Sequence, residues 1–232
     1  MNVLVDKVEH TLSLLQQSVA DYTGHVVFAC SFGAEDVVLL DLLDKHGIPI
    51  RVISLDTGRL PQETYDVMQT WRKKNSLNID IYFPDAREVE RMVKQDGVNL
   101  FYDSIEKRKL CCHVRKILPL KRALSGAQAW VTGLRQEQAD SRANMQAVED
   151  DKTFSIKKFN PLIMWTQQDV WDYIKNNDVP YNALHDEFYP SIGCTPCTRA
   201  ISVGEDPRAG RWWWEQEDAV AECGLHASPI KK

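Results

Sequence analysis

The sequence predicts an α/β protein built on a mainly parallel sheet with helices on both faces. Three observations point there. Short β-branched runs alternate with segments of helical spacing from His25 to Gly133. Small turns containing glycine follow two of those runs, where a strand hands over to a helix. Regular periodicity stops after Val179, where Gly, Pro and aromatic residues take over and predict an irregular C-terminal lobe and tail.

Taken in order, Val5, Val8, Leu12 and Leu15 recur at helical spacing and predict a surface helix. His25–Ser31 is a buried strand, Glu35–Lys45 a helix and Ile50–Asp56 a second strand. Pro61–Lys74 opens with proline, as the first turn of a helix allows. Ile79–Phe83, Ala86–Gln95 and Ala129–Gly133 continue as strand, helix and strand. Gln136–Phe154 is polar and predicts a loop. Thr166–Asn176 is a helix whose N-cap is Thr166, with Asp169 three residues on, close to a capping box.

The 232 residues, 44% hydrophobic and 26% charged, suit one soluble globular domain. A net charge of −5 argues against nucleic acid or an anionic membrane as partner. No apolar run approaches the roughly 18 residues of a membrane span, and the N-terminus lacks a secretory core, so the cytoplasm is expected. In that compartment the six cysteines call for metal, catalysis or plain burial rather than a disulfide framework. The cations Lys107, Arg108, Lys109, Arg115, Lys116, Lys121 and Arg122 form a run without an acid, and two cysteines lie inside it.

Five constellations carry chemistry. Ser31-Phe32-Gly33-Ala34-Glu35-Asp36 joins a strand to a helix, where backbone N–H groups and the helix dipole suit an anion; an ordinary turn is the alternative. Leu55-Asp56-Thr57-Gly58 ends the next strand on the same sheet edge. Cys111-Cys112 and Cys194-Thr195-Pro196-Cys197 offer four thiolates, suited to zinc or to an iron–sulfur cluster. Adjacent cysteines meet one small tetrahedral ion only with backbone strain, which favours a four-iron–four-sulfur cluster; two buried thiols plus a redox pair is the third option. Cys223 stands beside Gly224 and near His226, as a nucleophile on a movable tail or as a leftover thiol. Arg208 and Arg211 lie in a glycine-flanked loop before Trp212, Trp213 and Trp214; guanidinium forks match phosphate or sulfate, and the tryptophans are expected to pack. Cys30 is expected to be a core residue of its strand.

The set SFGAED, LDTGRLPQETY, KLCCHVRKILPL, WVTGLRQEQADSR, FNPLIMWT, VPYNALHDEFYPSIGCTPCTRA, GEDPRAGRWWW and ECGLH resembles, in this order, the assimilatory adenylyl-sulfate (APS) reductases, relatives of the phosphoadenylyl-sulfate (PAPS) reductases. The resemblance runs from about His25 to His226. It implies an adenine-nucleotide α-hydrolase-like fold over one domain, 1–232, with a nucleotide-binding core at about 20–176 and a cluster and catalytic tail at about 177–232. It implies substrate contacts at Ser31, Phe32, Gly33, Leu55, Lys116, Arg142, Arg208, Arg211 and His226, with Arg135 a rival for the place of Arg142. Cys111, Cys112, Cys194 and Cys197 match ligands of one 4Fe–4S cluster, and Cys223 matches the nucleophile. The implied reaction converts APS to sulfite and AMP through a thiosulfonate, resolved by thioredoxin or glutaredoxin, in sulfate assimilation and cysteine biosynthesis. The chain ends six residues after His226, without the thioredoxin-like domain of plant relatives, so the reductant is expected in trans. Both cysteine pairs favour APS over PAPS, with dual use as the alternative. A pyrophosphate-loop ligase is disfavoured because Phe32 and Ala34-Glu35 break the SGGxDS pattern, and a non-enzymatic redox module would leave Cys223 dispensable. The tryptophans are compatible with a homo-oligomer.

Overall fold

The computed structural model of the chain describes residues 3–74, 77–138 and 142–215. The expected alternation is present: α1 (Val3–Asp21), β1 (Val26–Ala29), α2 (Ala34–Lys45), β2 (Arg51–Leu55), α3 (Gln62–Lys74), β3 (Ile79–Tyr82), α4 (Ala86–Asp96), α5 (Ile105–Cys112), α6 (Leu118–Ala123), β4 (Ala129–Val131), β5 (Val148–Asp151), β6 (Ile156–Phe159) and α7 (Gln167–Asn176). The six strands form one sheet in the order β3-β2-β1-β4-β6-β5. β1 pairs in parallel with β2 and with β4, and β4 in parallel with β6; β5 runs antiparallel at the edge. Strand order therefore reverses beside β1, and the crevice beyond the C-terminal ends of β1 and β4 is the ligand position such a sheet offers. Among the described residues no helix is long and apolar enough to cross a membrane.

Two local expectations are corrected. The segment 136–154, expected as loop, contains β5. Its sequence Val-Glu-Asp-Asp carries no strand-like alternation. It becomes a strand because β6 offers lysines across the ladder: Glu149 faces Lys158 and Asp150 faces Lys157, with ion pairs of 3.2 and 2.7 Å. Acidic side chains on an edge also discourage strand addition. The second correction concerns α1, whose buried residues are Thr11, Leu14, Leu15 and Ser18, while Val5 is exposed. The stripe is rotated because Thr11 is a polar anchor: its hydroxyl donates to Pro161 O (3.1 Å) and accepts from Trp165 Nε1 (3.0 Å).

At α7 both halves of the capping box form: Thr166 N–H donates to Asp169 Oδ2 (2.7 Å), and Asp169 N–H donates to Thr166 Oγ1 (3.1 Å).

The chain divides into two compact units interleaved along the sequence. One comprises Met1–Ser54, Asp66–Asp80 and Leu124–Asn182, and includes β1, β4, β5 and β6. The other comprises Leu55–Tyr65, Ile81–Ala123 and Ala183–Lys232. In the second unit the basic run is helical throughout: α5, then one π-helical turn at His113–Ile117, then α6. A π turn inserts one residue into the ladder and re-aims the side chains that follow, a device frequent at functional sites. The run is not a plain solvated face. Arg108 is 1% exposed and Arg122 donates to Phe83 O (2.6 Å).

Candidate active site

In the first unit, the turn after β1 is built around Asp36. Its Oδ2 accepts both the Ser31 N–H and the Ser31 hydroxyl, each at 2.6 Å. Gly33 is the N-cap of α2 and has no side chain with which to cap it, so the first amides of this helix are oriented for an acceptor from outside. Phe32 is buried with φ 60°, the left-handed region, which costs a residue with a Cβ about 1–2 kcal/mol. Desolvation raises the Asp36 carboxyl to about 6, the neighbouring Glu35 charge adds to this, and the two Ser31 bonds oppose it. Across the sheet, after β4, a Cβ at Gly133 would collide with Asp36 Oδ1 and lie 3.1 Å from Glu35 Cβ. Glycine stands there for space, not for an unusual φ.

Arg135 and Arg142 are both buried in this unit. Arg135 is committed to protein: Glu35 Oε1 at 2.8 Å, Glu137 Oε2 at 2.9 Å and Trp165 O at 3.4 Å. Arg142 donates to Gln138 Oε1, which also accepts Arg135 N–H. Cys30 is buried at the end of β1 and its thiol is pushed well up, first by burial and then by Asp36, as befits a core cysteine.

In the second unit, Cys111, Cys194 and Cys197 come together in one apolar cluster with Met92, Leu100, Phe101, Val114 and Trp212. Cys112, one residue further along α5, is half-buried and outside that cluster. Burial pushes the Cys197 thiol up to about 12, Cys194 and Cys111 add to the shift, and Lys116 and Arg211 oppose it. Cys111 is likewise raised, first by burial, against the pull of Arg115 and Arg59. Four cations thus face the thiols; Arg115 and Lys116 come from the basic run and Arg211 from the glycine-flanked loop, whereas Arg59 had not been singled out from the sequence. Among the described residues no group of three or more His, Cys, Asp or Glu is gathered as a single-ion site.

The turn after β2 belongs to this unit and supports the sulfurs. Thr57 Oγ1 lies 3.2 Å from Cys194 Sγ, in hydrogen-bond contact, and accepts Arg59 N–H at 3.2 Å. Arg115 Nη1 donates to Thr57 O (2.7 Å), and Thr195 N–H donates to Arg59 O (2.8 Å). Gly58 takes φ +70° there, and Asp56 Oδ1 accepts its N–H (2.7 Å) and the Tyr65 hydroxyl (2.9 Å). Leu55, at the end of β2, is half-buried. Arg211 lies flat on Gly193, where a Cβ would collide with its guanidinium. Arg208 is half-buried, and its carbonyl accepts Arg211 N–H (2.8 Å). The tryptophans pack in part: Trp212 is buried beneath Arg108 and Arg211, Trp214 donates to Phe101 O (3.2 Å), and Trp213 is exposed. Cys223 and His226 lie outside the described residues.

A mainly parallel sheet with an anion-type turn at its switch point in one unit, and thiols faced by cations in the other, define a class: an α/β protein with the elements of anion binding and thiol chemistry. The comparisons with known proteins agree. Residues 25–200 match the phosphoadenosine phosphosulfate reductase domain. An adenosine 5'-phosphosulfate reductase of Allochromatium vinosum is 50% identical over 93% of this chain and 83% of its own length. The crystal structure of a PAPS reductase from Candida auris superposes with a TM-score of 0.70 at 29% identity, covering 82% of this chain and 90% of that one. An FMN adenylyltransferase of Candida glabrata, 13% identical with a TM-score of 0.59, shares the fold over 100% of this chain and 81% of that one. The chain belongs to the phosphoadenosine phosphosulfate reductase family.

Proposed function

We propose that the protein reduces adenosine 5'-phosphosulfate to sulfite and AMP in sulfate assimilation, with Cys223 as nucleophile and thioredoxin or glutaredoxin as the source of two electrons. The observation that carries this is the gathering of Cys111, Cys194 and Cys197 with Lys116 and Arg211 in one unit, in a chain 50% identical to an APS reductase. The Cys223 thiolate attacks the sulfuryl sulfur, the S–O bond to AMP breaks, and a thiosulfonate forms on the protein. A reductant thiolate then attacks Cys223 Sγ and releases sulfite; the reductant's second thiol closes its disulfide and returns Cys223 as thiolate. Ser31, Phe32, Gly33 and Leu55 hold the nucleotide in this proposal, and Lys116, Arg142, Arg208, Arg211 and His226 hold the phosphosulfate. Arg142 takes this place by its match to the family motif; Arg135, held by Glu35, Glu137 and Trp165 O, remains its rival. The cytoplasm, where thioredoxin and glutathione keep thiols reduced, is the compartment this reading expects.

The residues present fit an iron–sulfur cluster. Among the described residues, Arg115 Nε, Arg211 Nε and Trp212 Nε1 are buried donors with no acceptor, which suits an acceptor-rich guest beside the sulfurs. Cys111, Cys112, Cys194 and Cys197 would hold a 4Fe–4S cluster, which supplies a fixed electrostatic and structural element rather than the electrons. Anaerobically purified protein is expected to be brown with about four irons per chain; colourless protein containing zinc would overturn this part.

Replacing Cys223 by Ser is expected to abolish sulfite release from APS with reduced thioredoxin and to leave the visible absorbance intact. Retained turnover would refute the nucleophile. Rates with APS and PAPS in the same assay test substrate choice, with APS expected to dominate.

A further inference from the structure

The Ser31–Asp36 pair contains more chemistry than a turn needs. Ser31 is exposed, whereas the carboxylate behind it is buried. Both of Ser31's protons point at one atom, Asp36 Oδ2, at 2.6 Å. In this arrangement the hydroxyl shows the outside only lone pairs, and Gly33 N–H approaches them at 3.4 Å. An anionic oxygen arriving at the uncapped start of α2 would meet lone pairs on Ser31 and a buried negative charge behind it. Gly133 lies beside the carboxylate, close enough that a Cβ there would meet Oδ1. Glu35 is paired with Arg135 at 2.8 Å.

We propose that Asp36 is a positioning residue that decides whether Ser31 offers a donor or an acceptor, and that it takes up one proton when the anionic substrate binds. The proton, from solvent, goes onto Oδ2. That oxygen still accepts the Ser31 N–H and now donates to Ser31 Oγ. The Ser31 hydroxyl proton is released to turn outward and donate to the substrate. No bond other than O–H is made or broken. This inference rests on the proposed function, which places the substrate at Ser31. Among the described residues, the charged and titratable groups that bear on Asp36 are Glu35 on α2 and the Cys30 thiol after β1; Arg135 and Glu137, after β4, reach it through Glu35. Arg135 is shared between Glu35 and Glu137, so the Glu35 charge still bears on Asp36, the buried acid that lies directly behind Ser31. A carboxyl already raised to about 6 needs a further rise of about two units to be almost fully protonated near neutrality, where an ordinary carboxyl would need about four.

Calorimetric titration of APS into the full-length Cys223→Ser protein, loaded as purified, tests this, in buffers of differing ionisation enthalpy at a pH of about 7, roughly one unit above the carboxyl. The phosphosulfate has no group of its own titrating there. Uptake approaching one proton per chain is expected, and its loss when Asp36→Asn is added. Binding without uptake, or uptake that survives Asp36→Asn, overturns the proposal. No binding of APS at all sinks the assignment of the substrate, and this inference with it. Should Asp36→Asn fail to fold, infrared difference spectra of the Cys223→Ser protein decide: a protonated-carboxyl band is expected on adding APS, and its absence refutes.

Discussion

Arg108 and Glu215 form the sharpest test of how the second unit is held together. The guanidinium is 1% exposed and meets Glu215 as a two-point fork, Nε to Oε1 at 2.7 Å and Nη2 to Oε2 at 2.9 Å, with the Trp212 ring 4.3 Å away. Removing one partner of such a buried pair costs about 3–5 kcal/mol, because the other charge is left in an apolar setting. The two truncations are not equivalent. In Arg108→Met the orphaned carboxylate can neutralise itself by taking a proton. In Glu215→Leu the orphaned guanidinium keeps its charge at any accessible pH. Glu215→Leu is therefore expected to be the worse, and only the Arg108→Met deficit should shrink as pH falls toward about 5. With a urea slope of about 2 kcal/mol per molar, the single changes should lower the midpoint by about 2 M. The double variant Arg108→Met/Glu215→Leu should fall well short of the sum and lie closer to the parent than either single variant. Urea unfolding followed by tryptophan fluorescence at matched iron content measures all three. Additive losses, or Arg108→Met as the more damaging change, would refute the argument.

Further expectations concern other sites. Thr166→Ala removes the hydroxyl half of the capping box on α7 and should cost about 1 kcal/mol, a fall in Tm of about 3 °C by calorimetry. Asp36 carries a carboxyl raised to about 6 by desolvation, so the folded state binds a proton that the unfolded state releases between its ordinary 3.8 and 6. Stability should fall as pH rises through that window, by about 3 kcal/mol from this group. Asp36→Asn should flatten that part of the curve in denaturant titrations; an unchanged slope would count against it. Cys111→Ser and Cys197→Ser should lower iron per chain by more than half by elemental analysis, whereas Cys30→Ser, in the other unit, should leave the ratio of iron to folded protein unchanged.

Much of this was legible in the residues themselves. The strands β1, β2, β3 and β4 and the helices α2, α3, α4 and α7 follow from apolar periodicity and caps, which act between residues a few positions apart. The two turns, the paired cysteines and the cations among them were visible as motifs because each is contiguous. Other features depended on partners distant in sequence. β5 is a strand only because β6 presents lysines to its acids. The buried face of α1 is set by Thr11 reaching Pro161 and Trp165. Asp36 and Gly133 look unremarkable alone, and gain meaning from a collision across 97 residues of chain. Arg108 reads as one more cation in a basic run until Glu215 and Trp212 enclose it. The sequence alone thus determined which segments are strand or helix and which chemistry the chain carries. Tertiary structure decided which thiols, cations and hydroxyls stand together. The physical reason is that local periodicity encodes burial of a face, whereas desolvation of a charge or a sulfur is set by what the fold brings from elsewhere.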